Sequence, residues 1–395
     1  MRGVLSFSGM RLFSLLLFLP LLLQAESSFQ FLGNPFVYKY PDGEEIYARN
    51  IWDMQLFRGR IYLGAGNSSN RGPAQNAGPV PLLYLEPETG KFIVDYIVKD
   101  EQIDLFRLED GKLYIPGHDA TEKWDFGNFY VNDGNRWQKV RTLPKALHVY
   151  DLLLHRGQIF TAIGLNKVGA VMSSGDGGKS WTSHSHGSGR VYGLLKVGDQ
   201  LFAHKLFNPS RPKNLAITQW VEGQGFSARF DLNAYDLFPQ TDFNRSGSLK
   251  ITRSVALDSE SYYIGAYKHN DHQSKPIALY RAQMVNSQLR VTRVPIAESS
   301  TPRDILVRGR HLYILVSSEE GEGFEIAVYR RTLQGEGAKE EAQRLISFNY
   351  PVFARSFEEL NHCFYFGMGV DLKSSGSWRE SELKDETGDV VKSCM

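Results

Sequence analysis

One phrase returns seven times along the chain, and no other feature restricts the fold as strongly. It reads IWDMQLFRGRIYLG from Ile51, QIDLFRLEDGKLYIP from Gln102, VYDLLLHRGQIFTA from Val149 and VYGLLKVGDQLFAH from Val191. It continues as TRSVALDSESYYIG from Thr252, PRDILVRGRHLYIL from Pro302 and ARSFEELNHCFYFG from Ala354. Each copy holds an apolar strand, a tight polar turn usually containing glycine, and a second strand with an aromatic at a fixed place. The aromatics are Tyr62, Tyr114, Phe160, Phe202, Tyr263, Tyr313 and Tyr365, spaced by 52, 46, 42, 61, 50 and 52 residues. A further hairpin follows most copies, as in PLLYLEPETGKFIVDYIV from Pro81 and GNFYVNDGNRWQKV from Gly127. Four short strands per unit at this period predict an all-β chain, a seven-bladed β-propeller of four-stranded antiparallel blades. No stretch sustains a helical period.

The repeat sets the domain limits. Residues 1–25 carry Arg2 and Arg11, no acid, and the apolar run LFSLLLFLPLLL ahead of Gln24 and Ala25. That layout predicts a secretory signal peptide cut near Ala25, hence a secreted or periplasmic protein with no membrane span in the mature chain. The run is shorter than the ~20 residues a span needs. Residues 29–380 form the propeller, its ring closed by an N-terminal strand from FVYKYPDGEEI, Phe36 to Ile46, laid on the blade that begins at Ala354. Residues 381–395 read as a polar C-terminal tail. Removing residues 1–25 takes away two arginines, leaving 43 basic against 44 acidic side chains and a charge of −1. Such a balance argues against nucleic acid as a partner. Only Cys363 and Cys394 occur, so a disulfide framework is excluded; Cys363 reads as a core thiol, with a bond to Cys394 left open.

The stretch SSGDGGKSW at residues 173–181 falls on the turn between the third and fourth strands of the third blade. Related turns recur as TGKF at Thr89, NDGNRW at Asn132, EGQGF at Glu222 and SSGSW at Ser374. A position that returns around a ring while varying in detail points to architecture: glycine supplies the turn angles, and a short acid or hydroxyl accepts tip amides. The pattern Ser174, Asp176, Gly178, Trp181 resembles the Asp-box, or BNR repeat, of sialidases, sortilin-type receptors and many secreted bacterial propellers. The resemblance covers eight residues and implies the sialidase-like propeller superfamily, with a structural box lying away from the ligand face.

The opposite face is then where a ligand is expected, built from the long loops joining second to third strands. His118, His204, His269 and His272 fall in those loops and His148 at the start of a first strand, five of ten histidines on one face. KHNDH at Lys268 sets His269, Asp271 and His272 close together, yet one loop is too little for a coordination sphere, so no metal and no cofactor is expected. A dense stretch from Tyr114 to Val131 places His118, Asp119 and Trp124 on one wall of the site. A second set lies ten residues before the recurring aromatics: Trp52, Tyr150, Tyr192, Arg253, Arg303 and Arg355, with Ile103 at the equivalent place in the remaining blade. Three arginines facing aromatics across a narrow mouth suit an anionic ring such as a carboxylated or sulfated sugar. Against this stands the plainer role of pairing with Asp53, Asp104, Asp151 and Asp304, which follow those positions.

Three functions emerge. The first is a secreted module that binds an acidic polysaccharide or another anionic ligand. The second is a polysaccharide lyase, in which arginine neutralises a uronate carboxylate, histidine takes the adjacent proton and tyrosine protonates the leaving oxygen. His148 with Tyr150, or His204 with Tyr192, could serve there as catalytic pairs. A protein-interaction scaffold in the envelope is the third. A sialidase fits worse: such enzymes usually have six blades, several boxes and an early R-I-P arginine, which is absent.

Overall fold

The computed structural model describes residues 28–36, 49–66, 79–120, 122–123, 125–165, 168–208, 216–229, 231–241, 247–268, 274–333, 342–371 and 384–395. Its strands form seven sheets of four, each antiparallel throughout, in the radial order of a β-propeller. Blades 1 to 6 span 53–98, 107–144, 148–188, 193–228, 248–294 and 301–350. Blade 7 joins Phe353–Leu360, Cys363–Gly369 and Val390–Cys394 to the N-terminal strand Gln30–Gly33. All seven recurring aromatics sit on second strands and are buried. Each contributes about 1.5–3 kcal/mol by leaving water. The core is therefore a ring of inter-blade layers, such as the one where Phe202, Tyr263 and Tyr280 meet between blades 4 and 5.

The ring closes differently from the expectation at both ends. The outer strand of blade 7 is Gln30–Gly33, pairing Gln30 with Lys392, while most of Phe36–Ile46 lies outside the described residues. The polar tail expected from Ser381 is corrected: Val390–Cys394 is the third strand of blade 7. Val390 and Val391 are fully buried there. Two valines amid polar neighbours are too short an apolar signal to read as a strand, but the blade needs a third strand and this segment supplies it. The bond that the sequence left open is present, since Cys363 faces Cys394 across the ladder and bonds to it.

Two other departures have visible causes. Blade 2 keeps only Arg107–Glu109 as its innermost strand, because Asp100–Gln102 pairs instead with His118–Ala120 in a separate ribbon. Ile103, where the repeat count slips by one, lies between this ribbon and the shortened strand. The long interval from Phe202 to Tyr263 holds the one short helix among the described residues, Ala234–Leu237, capped by Asn233 and packed beneath Phe238. No described helix is long and apolar enough to cross a membrane.

The SSGDGGKSW turn links Val168–Ser174 to Thr182–Ser188, third to fourth strand of blade 3. Asp176 accepts the amides of Lys179 and Ser180 at 3.0 Å and the hydroxyls of Ser174 and Ser180 at 2.7 and 2.6 Å. Those donors, the Ser180 hydroxyl foremost, hold its carboxyl well below the usual range. Gly178 has φ 89°, a conformation a side chain would strain, and a Cβ there would crowd Phe129 of blade 2 at 3.0 Å. Trp181 then packs edge-on to Phe129 at 6.2 Å and donates to Thr142 at 2.9 Å. Trp137 does the same one blade earlier, edge-on to Tyr62 at 5.8 Å and donating to Asp95 at 2.8 Å. In blades 2 and 3 this turn staples the blade to the one before it. SSGSW at Ser374 lies outside the described residues.

Candidate functional site

At the face opposite those turns the first strands begin, and several begin with a bulge. The ladder of blade 3 skips from Val149 to Asp151, that of blade 6 from Pro302 to Asp304 and that of blade 7 from Ala354 to Ser356. Tyr150, Arg303 and Arg355 are the extra residues, released from pairing and able to turn toward the mouth. In blade 5 the bulge falls one place earlier, at Thr252, so Arg253 returns to the ladder opposite Ile264. Trp52, Tyr150, Tyr192, Arg253, Arg303 and Arg355 all line one cavity of about 500 Å³, together with His118, His148 and His204. Ile103, the seventh position, is fully buried and bonds Ala65 instead.

The acids that follow these positions have another task. Asp53 accepts the amide of Phe106 at 2.7 Å, Asp151 that of Leu194 at 2.9 Å, and Asp304 that of Phe357 at 3.2 Å. Each of these acceptors reaches from one blade to the next, and each also caps the amide beside it in its own strand. They are clamps between neighbouring blades. Arg107 grips both oxygens of Asp151 at 2.9 Å.

Arg253 belongs mainly to this framework. Its guanidinium donates to the carbonyls of Trp52 and Asp104, and its Nε lies 3.4 Å from Asp304, so it ties blades 1, 2, 5 and 6 across the channel. Burial opposes its charge, but Asp53, Asp304 and Asp104 outweigh that and hold its proton more tightly than usual. Asp304 is shifted upward, first by burial and further by Asp53, against the pull of Arg253.

Arg303 and Arg355 lie together over aromatic rings on one side of the cavity. The Arg303 guanidinium lies 3.6 Å over the Phe353 ring, and that of Arg355 lies 4.4 Å over Trp52 and 5.2 Å over Phe353. Both reach Asp371, at 3.6 and 3.5 Å, and Arg355 donates to the Val370 carbonyl at 2.6 Å. Burial lowers both pKa values, that of Arg355 to about 10, with Asp371 offsetting part of the effect. Both remain charged at neutral pH.

The facing wall is aromatic. His148 stacks on Tyr150 at 5.2 Å, His118 lies 5.4 Å from His148, and Tyr150 meets Tyr192 at 4.8 Å. Arg190 donates to the Tyr150 hydroxyl, and His118 approaches the Asp104 carboxylate at 4.0 Å. His204 is almost wholly buried, stacked on Phe207, in space left by Gly193, whose Cβ would sit 2.5 Å from the imidazole. Asp119 lies in the ribbon strand His118–Ala120, while Trp124, His269, Asp271 and His272 fall outside the described residues. Among the described residues no group of three or more His, Cys, Asp or Glu is placed to hold a metal ion. Phe353, Asp371, Lys250, Lys268 and Arg190 were not anticipated; Phe353 and Arg190 stand twelve residues before the recurring aromatics Tyr365 and Phe202, as His148 does before Phe160, a second recurring offset that the sequence reading did not use.

Burial holds His204 down to about pKa 4. The unfolded chain takes up that proton near pH 6.5. Stability from the neutral imidazole is therefore complete above pH 6.5 and is lost as pH falls toward 4. His204→Gln should remove up to about 3 kcal/mol of this acid dependence. Urea melts of both proteins from pH 7 to 4 measure it, and parallel curves would refute it.

No family model matches the chain, and no curated protein matches it. Solved structures match in shape. The extracellular domain of BT4673 from B. thetaiotaomicron has 9% identity and a TM-score of 0.50, covering 94% of this chain and 43% of that one. This chain thus spans less than half of that protein. YCF48 bound to D1 peptide gives 12%, 0.46, 91% and 96% in the same order. The β-propeller domain of the Trilobed protease from Pyrococcus furiosus gives 10%, 0.44, 81% and 90%. At such identities the likeness to the first of these speaks to the fold alone, a seven-bladed all-β propeller.

Proposed function

We propose that this chain is a secreted binding module whose cavity takes an anionic ligand of the acidic-glycan class. The observation that carries the reading is charge: seven arginines and lysines line the cavity against two aspartates, Asp104 and Asp151. Asp151 is already committed to Arg107. Arg303 spends its Nε on Ser317 and Nη1 on Asp371, and Arg355 spends Nη2 on Val370 and Asp371. The remaining guanidinium N–H groups have no protein partner among the described residues. A planar carboxylate or sulfate suits that fork, and Trp52 and Phe353 offer faces for a sugar ring.

The disulfide supports an oxidising compartment. This accords with the expected leader over residues 1–25. The sialidase-like superfamily remains part of the proposal, carried by the Ser174, Asp176, Gly178, Trp181 turn. An array of acidic polysaccharides, scored for retention and for cleavage, tests the reading. Retention by the wild type that Arg303→Ala loses is the expected result. Retention by both proteins would exclude the proposed site, and retention of no glycan would favour the envelope scaffold.

A second reading, a polysaccharide lyase, is favoured by one observation. His118, His148, Tyr150 and Tyr192 stack along one wall of the same cavity, with Arg190 on the Tyr150 hydroxyl. The neutral His204 beside Tyr192 is the alternative base. Unsaturated product absorbing in the ultraviolet during incubation with uronate polymers would select this reading over binding alone.

A further inference from the structure

The anion site on Arg303 and Arg355 leaves Lys250 unexplained. Lys250 lies in the first strand of blade 5, Ser248–Ala256, opposite Ala266, and lines the same cavity. Among the described residues its ammonium has no hydrogen-bond or ion-pair partner. Lys268, opposite Ser248 at the same end of the blade, lines the cavity too. The charged groups acting on Lys250 are Asp104 from blade 2, which favours its charge, and Lys268 and Arg253 of its own sheet, which oppose it. His204 of blade 4 also feels it. Burial is the largest influence and lowers its pKa. A cation withdrawn from water without a counter-ion is costly, and the cost is relieved when a ligand supplies the missing charge.

We propose that Lys250, with Lys268 beside it, forms a second anion subsite in the cavity, so that the ligand carries two acidic groups. One rests on Arg303 and Arg355, the other on Lys250. The substrate class narrows from an acidic sugar to an oligomer with acids on successive residues, such as a uronate disaccharide or longer chain. This inference rests on the anion-binding reading of the same cavity.

Pairing the amine with an anion raises its pKa, so binding takes up protons at pH values between its lowered value and the ordinary lysine range near 10.4. Affinity then falls as pH rises through that interval.

Isothermal titration with galacturonate and digalacturonate, in buffers of different ionisation enthalpy, tests the subsite. The wild type should bind digalacturonate roughly tenfold or more tightly than galacturonate, the scale of one added charged contact. Proton uptake should accompany the disaccharide. Lys250→Met should bring the two affinities together and abolish that uptake. Lys250→Arg should restore the preference without it. Binding of both sugars that Arg303→Ala loses but Lys250→Met leaves unchanged overturns the second subsite and keeps the anion site. Failure of both sugars to bind the wild type at millimolar concentration overturns both.

Discussion

Replacing Asp151 by alanine is expected to cost about 3–5 kcal/mol of stability, the range for stripping one partner from a buried ion pair. Asp151 is 3% exposed and holds four donors: both arms of Arg107 at 2.9 Å, the Leu194 amide of the next blade at 2.9 Å and the Leu152 amide at 2.8 Å. Alanine leaves the Arg107 guanidinium charged, buried and short of its counter-ion, and frees an amide at the blade 3 to blade 4 joint. The double variant Asp151→Ala with Arg107→Met should recover a large part of the loss, because the stranded charge goes with it. Urea unfolding of the three proteins measures both statements. A single variant within about 1 kcal/mol of wild type would show that the clamp adds nothing beyond an exposed pair.

Removing the disulfide, as Cys363→Ala with Cys394→Ala, should cost about 3–4 kcal/mol, given the sequence separation of 31 between the two cysteines. For a chain of this size that corresponds to a melting shift of roughly 5 °C. The bond sits where the ring closes, on a third strand that itself carries the N-terminal strand Gln30–Gly33. Loss should therefore show first as faster hydrogen exchange in Gln30–Gly33 and Val390–Cys394, ahead of the other six blades. Dithiothreitol on the wild type should reproduce the shift. Uniform exchange across all blades would mean the bond stabilises the chain without latching this seam.

The architecture was legible because a propeller repeats its solution. Seven buried aromatics at one register position, each beside a turn that tolerates few residues, leave a periodic trace. Where a blade breaks the pattern, the trace weakens. Asp100–Gln102 pairs with His118–Ala120 for reasons local to blade 2, and Val390–Cys394 is too short and too polar in its flanks to announce a strand. The site was legible only where it coincides with the repeat. Trp52, Arg303 and Arg355 stand at the start of first strands, where a bulge or a blade junction turns residues toward the mouth. Arg253 shares their spacing, yet its bulge is displaced by one residue, and the side chain bridges the channel instead. Phe353 stands at a spacing the repeat does carry, twelve before Tyr365 as His148 is before Phe160, whereas Asp371 and Lys250 depend on three-dimensional proximity that no spacing encodes.

The central claim is that the cavity's stacked arginines recognise an anion. Its most direct test is the dissociation constant of the best-retained acidic oligosaccharide for wild type and Arg355→Ala. Among the described residues Arg355 donates only to Val370 and Asp371, and Arg303 keeps its contact with Asp371 when Arg355 is gone, so the fold should survive the change. The account predicts binding weakened by roughly 30-fold or more, the scale of removing a desolvated charge from a recognition pair. Equal dissociation constants for two equally folded proteins would contradict it.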